Sequence, residues 1–153
     1  MAVLIAAQAF DPWQALQDYQ TSKQLLDGQV GATNVFVGTM RDFNDGSDVT
    51  AMCLEHYPGM TEKQLEQIII SVRQQTAIQD ALIVHRVGDI FPNEPIVLVA
   101  VWSSHRGDAF DACRLIMEAL KSKAPFWKKE RLASEASRWV EANTDGYQPA
   151  RPA

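Results

Sequence analysis

The octapeptide PIVLVAVW, Pro95–Trp102, decides how the rest of the chain is read. It is apolar at every residue, so it has no polar face to turn to solvent and reads as a central strand buried on both faces. A second β-rich run, ALIVHRVGDI (Ala81–Ile90), precedes it and joins it through the turn FPNE. Further upstream, TNVFVGT (Thr33–Thr39) and VTAMCLEHY (Val49–Tyr57) flank the polar segment RDFNDGSD with its Asp45-Gly46 turn, and the two are predicted to form a hairpin. The opening MAVLIAAQAF has no basic leader and is too short to span a bilayer, so it reads as a first strand rather than a signal peptide.

Three helices fill the gaps. Asp11 caps the first, Pro12 takes its first position, and Trp13, Leu16, Tyr19 and Lys23/Leu26 recur at helical spacing. The second lies in GMTEKQLEQIIISVRQQTA, with Thr61 as its cap and Leu65, Ile68, Ile69 and Val72 as its apolar stripe. The third runs Asp108–Lys123, with Phe110, Cys113, Met117 and Leu120 on one face, and Pro125 ends it. Hairpins mixed with helices imply an α+β fold, a mainly antiparallel sheet with helices packed on it. Residues 1–153 read as one domain, with a loosely held tail from about residue 140.

Composition narrows the function. The chain has 46% hydrophobic and 22% charged residues, which is the balance of a globular protein rather than a disordered one. A net charge of −5 argues against general nucleic-acid or anionic-membrane binding. Yet Lys121, Lys123, Lys128, Lys129 and Arg131 crowd one short segment against Glu130 alone, so the remainder is more acidic still. A basic island on an acidic background suits a small anion or the acidic tail of a partner. Cys53 and Cys113 stand in apolar segments without C-x-x-C spacing and read as buried free thiols, which fits a reducing compartment, the cytoplasm. His56, His85 and His105 lack metal-ligand spacing, so no metal is expected. No Walker loop, G-x-G-x-x-G or G-x-S-x-G is present.

Chemistry then falls to cations. Lys121 follows Met117 by four residues and shares its helical face, beside the apolar stripe. Partial burial near other cations disfavours its ammonium form, and an amine so placed can act as nucleophile or proton shuttle. Cations at a helix C-terminus also simply complement its dipole, and that account suffices for Lys123 and Lys129. For Lys121 and Lys128 both accounts stay open on physical grounds. His105-Arg106 follows the most buried strand and precedes a helix, a position suited to anion binding. Arg41 closes a strand in which Gly38 permits close backbone approach, and by itself reads first as a solvated hairpin arginine. His85-Arg86 lies within a strand, its side chains on opposite faces, and reads as structural.

Taken together, FVGTMRDFNDG, LEHYPGMTEKQL, VHRVGDIFP, SSHRGDAFDA and IMEALKSKAPFWKKE resemble the large, catalytic subunit of molybdopterin synthase from about Val35 to Trp139. Gln75-Thr76 and Asn93-Glu94 depart from the family pattern. The resemblance implies an α/β hammerhead fold and a homodimer of large subunits. Each would hold a small ubiquitin-like sulfur carrier, giving a heterotetramer. It implies sulfur transfer from the carrier's C-terminal Gly-Gly thiocarboxylate to precursor Z, a cyclic pyranopterin monophosphate, with no cofactor. It also implies catalytic roles for Lys121 and Lys128, substrate contacts from Thr39, Met40, Arg41, His105, Arg106, Lys129 and Glu130, and pocket positions for Phe36 and Met117. A non-catalytic scaffold of the same fold, holding a phosphate or a partner's tail, is the alternative reading.

Overall fold

The computed structural model describes residues 1–134 and 136–140, so the expected tail lies outside the described residues. In chain order the elements are β1 (Ala2–Ala6), α1 (Pro12–Ser22), β2 (Ala32–Thr39), β3 (Phe43–Asn44), β4 (Ser47–His56) and α2 (Met60–Arg73). They continue with β5 (Ile78–Arg86), β6 (Gly88–Ile90), β7 (Pro95–Ser103), α3 (Arg106–Lys123), β8 (Phe126–Leu132) and β9 (Ser137–Trp139). The result is the expected α+β arrangement.

β7 is an inner strand of a sheet ordered β1-β5-β7-β2, antiparallel to both neighbours, while β1 runs parallel to β5. Alternation along β7 serves two cores. Val97, Val99 and Val101 meet Leu65, Ile69 and Ile116 of α2 and α3 on one face. Leu98, Ala100 and Trp102 meet Tyr19 of α1 on the other. Fully enclosed side chains such as Leu65, Ile69 and Ile116 each contribute about 2 kcal/mol of burial.

The predicted hairpin between the second and third long runs does not form. β2 instead covers the edge of β7, and β4 leaves to build a second sheet, β3-β4-β8-β9, with β6 also paired to β4. The reason is burial: Val35 and Val37 of β2 are needed over Leu98 and Trp102. Asp45-Gly46 does make a turn, but a tighter one joining β3 to β4, with φ of 49° and 74°. Ala81–Ile90 is likewise two strands. At Gly88 (φ 81°) the chain passes from the first sheet to the second.

Two helix details also differ. Thr61 does not cap α2; Gly59 does, its N–H donating to Glu62 Oε2 at 2.6 Å, while buried Thr61 accepts from the Tyr57 N–H. α3 starts earlier, at Arg106, and its buried face is Ala109, Ala112, Cys113, Ile116 and Leu120. Phe110 is 58% exposed, because the face is turned slightly from the predicted stripe. Asp11 caps α1 as expected, accepting from Trp13 and Gln14 N–H groups. Cys113 is buried and Cys53 half-buried, both as free thiols.

Candidate functional site

The last turn of α3 and the first residues of β8 meet over the end of the first sheet. α3 stops because Ala124 is extended (φ −73°, ψ 135°) ahead of Pro125. The chain then enters β8, where alternation turns Phe126, Lys128 and Glu130 to one side and Trp127 and Lys129 to the other. A cavity of about 130 Å³ lies in this corner. Met117, Lys121 and Ala124 line it from α3, Phe126 and Lys128 from β8, and Phe36 and Gly38 from β2. Gly38 keeps the floor open, since a Cβ there would stand 2.8 Å from Val97 Cγ1.

A second, smaller cavity of about 60 Å³ adjoins the first through Ile96 and Lys128 and is lined by Met40, Arg41 and Glu130. Lys128 therefore faces both spaces. Arg41 lies over the Phe43 ring, 5.0 Å from its centroid. Its guanidinium charge acts on both lysines.

Burial lowers the Lys121 pKa below the ordinary lysine value, and Arg41 adds to the effect. Lys121 as a whole residue is nonetheless exposed, and solvent screens the repulsion. Burial also lowers Lys128, with Lys121 and Arg41 pushing the same way and Glu130 opposing. The two amines thus hold their protons less tightly than free lysines while sharing one mostly apolar wall.

The expected site residues divide into three groups. Lys121, Lys128, Phe36 and Met117 line the main cavity, and Met40, Arg41 and Glu130 line the adjoining one. Met40 is buried in a small core with Val49, Met52 and Leu54, so its side chain packs. Its backbone N–H donates to Glu94 O, fixing the strand exit that carries Arg41. Glu130, 3% exposed, accepts from Asn44 Nδ2 at 2.8 Å and lies 3.7 Å from Arg138 Nε. Thr39 is exposed at the end of β2.

Lys129 projects from the opposite face of β8, its ammonium 5.4 Å from the Trp139 ring centroid. His105 and Arg106 are exposed at the N-terminus of α3. Fifteen residues of helix separate Arg106 from Lys121, roughly 22 Å, so one copy of the chain does not bring them together.

Of the lining residues outside the predicted set, His85 is the one with a titratable side chain. His85 stacks on Phe126 with centroids 3.9 Å apart and planes 16° from parallel. Arg86 does turn to the opposite face, where Nη2 donates to Asp89 O. The signal was present in the alternation: Ala81 and Ile83 face α3, so His85 must follow them to the end where α3 stops. Among the described residues no group of three or more His, Cys, Asp or Glu side chains is placed to hold a metal ion. Among the same described residues, no helix is long and apolar enough to cross a membrane.

Comparison with known proteins bears on this corner. The MoaE protein family matches residues 5–123. The chain is 58% identical over 114 residues to the molybdopterin synthase catalytic subunit of Ralstonia nicotianae, across 74% of this chain and 64% of that one. It therefore spans somewhat under two thirds of that relative. It is 48% identical to the molybdopterin synthase catalytic subunit of Pseudomonas aeruginosa, across 92% of this chain and 91% of that one. Among solved structures, molybdopterin synthase from Staphylococcus aureus is similar with a TM-score of 0.79 and 30% identity, across 90% of this chain and 95% of that one.

Proposed function

The chain belongs to the MoaE protein family, and from that premise we propose that it is the catalytic subunit of a molybdopterin synthase. In this reading it moves sulfur from the thiocarboxylated Gly-Gly tail of a small carrier subunit to precursor Z, forming the dithiolene of molybdopterin. The observation that carries the reading is the pairing of Lys121 and Lys128 on one apolar cavity, with Arg41 beside it.

The charges suit the reaction. A thiocarboxylate and a cyclic phosphate are both anions, and bringing them together in a poorly solvated pocket costs Coulomb energy unless cations offset it. Lys128 faces both cavities, so it can touch both reactants. Lys121 offsets charge developing at the acyl carbon as sulfur departs, and its lowered pKa makes it a readier proton donor than a free lysine. Arg41 holds the phosphate.

His105 and Arg106 fit this scheme through symmetry. If they touch substrate, as the resemblance implies, they reach the cavity of a second copy, since roughly 22 Å of helix keeps them from their own. The working assembly is then a homodimer of this chain with one carrier on each copy, acting in the cytoplasm. The test is reconstitution with thiocarboxylated carrier and precursor Z, with molybdopterin read as its fluorescent oxidation product. Product supports the reading; carrier binding without product leaves only a scaffold.

A further inference from the structure

His85 has no assigned part in the scheme above, yet its surroundings define what it can do. Its Nδ1 lies 2.9 Å from the Arg86 carbonyl oxygen. A carbonyl only accepts, so Nδ1 carries the hydrogen and the neutral ring keeps its lone pair on Nε2. Nε2 lies on the far side of the ring from that carbonyl, and stacking on Phe126 holds the ring plane. The other side chains lining the cavity are apolar or are the two ammonium groups. Among the described residues, Nε2 is therefore the only strong side-chain acceptor on the cavity wall.

The charged and titratable groups around it agree. Lys121 of α3, His56 of β4 and Lys128 of β8 all act on the ring, Lys121 most strongly. Arg41 acts on the two lysines in turn, and Glu130 opposes it at Lys128. Burial foremost, opposed by the bond to the Arg86 carbonyl and helped by the Lys121 and Lys128 charges, holds the His85 pKa down to about 4, so the ring is neutral at physiological pH.

We propose that His85 is a positioning residue: its Nε2 lone pair accepts a hydrogen bond from the Lys121 ammonium and turns that ammonium into the cavity for the transfer step. This rests on the sulfur-transfer reading, but one of its consequences can be measured without turnover. An acceptor stabilises the ammonium form, so losing it lowers the Lys121 pKa. His85→Phe keeps a ring against Phe126 and removes the lone pair; His85→Gln restores an amide oxygen near the Nε2 position.

The experiment titrates Lys121 by NMR in the full chain carrying isotope-labelled lysine, in wild type and both variants. The expected result is a Lys121 midpoint lower by roughly half a unit or more in His85→Phe and restored in His85→Gln. Equal midpoints in all three would overturn the proposal. In the reconstituted reaction, His85→Phe should lower kcat roughly 10- to 100-fold with KM little changed, and His85→Gln should recover most of it. A raised KM with unchanged kcat would make His85 a substrate contact instead and reject the positioning role. Absence of turnover in wild type would count against sulfur transfer, while the titration would still decide for or against the Lys121–His85 bond.

Discussion

At Lys121 the balance of forces is between desolvation and repulsion on one side and the need for a cation on the other. Arg41 adds to the repulsion, which gives a signed prediction. If the ammonium form is the working one, activity falls on the alkaline side at a pH below the ordinary lysine value of 10.5. Arg41→Gln removes a like charge, raises the Lys121 pKa and moves that limb to higher pH, even as phosphate binding weakens. A pH profile of kcat in the two proteins checks it, and a limb that stays put removes Arg41 from the electrostatics of Lys121. His85 makes a second prediction, about stability. Its folded pKa of about 4 lies below the ordinary 6.5, so the unfolded chain binds the extra proton between those values. The stabilisation is whole above about pH 6.5 and is lost as pH falls toward 4. Denaturant unfolding at pH 7 and pH 4.5 should show a larger loss in wild type than in His85→Phe, on the order of 2 kcal/mol. Equal losses would mean the ring is better solvated than its packing on Phe126 implies.

Among the elements, the corner from α3 into β8 does the positioning, and two side chains there separate structure from chemistry. Glu130→Ala strips the partner from Asn44 and Arg138 and should cost about 1–3 kcal/mol in unfolding free energy, loosening the β3–β4 hairpin next to Arg41. Lys129→Ala, on the other face of β8, should leave both stability and turnover close to wild type. A large loss of turnover in Lys129→Ala would show that the outer face of β8 meets substrate. This corner was partly legible in the sequence. Met117 and Lys121 share a face by spacing alone, Pro125 marks the helix stop, and PIVLVAVW announces its two-sided burial. Other features were not. The partner of β2 depends on which sheet needs Val35 and Val37, a tertiary demand that no local pattern carries. Phe110 fitted the stripe but falls to solvent, because a small rotation of the helix brings Ala109 and Ala112 inward instead. His85 looked like a strand filler: alternation puts it on the same face as Ala81 and Ile83, but that this face lies beneath the end of α3 follows only once strand and helix are docked.

For the whole molecule, the proposed role of Arg106, fifteen residues along α3 from Lys121, requires a second copy of the chain at the site. Lys121→Ala and Arg106→Ala, each nearly inactive alone, should regain activity when mixed and allowed to exchange subunits, to roughly a quarter of wild type, because each mixed dimer holds one intact site. No recovery would confine the chemistry to one copy. The acidic background around the basic corner belongs to the same scale: it leaves the lysine cavity as the favoured place for an anionic tail to dock. The most direct measurement of the central claim is a single-turnover transfer from thiocarboxylated carrier to precursor Z by wild type and Lys121→Ala, with carrier affinity measured in parallel. The substitution should slow transfer by at least about a hundredfold while carrier affinity stays within a few-fold. Equal losses in rate and affinity, or transfer at near wild-type rate without the lysine, would contradict it.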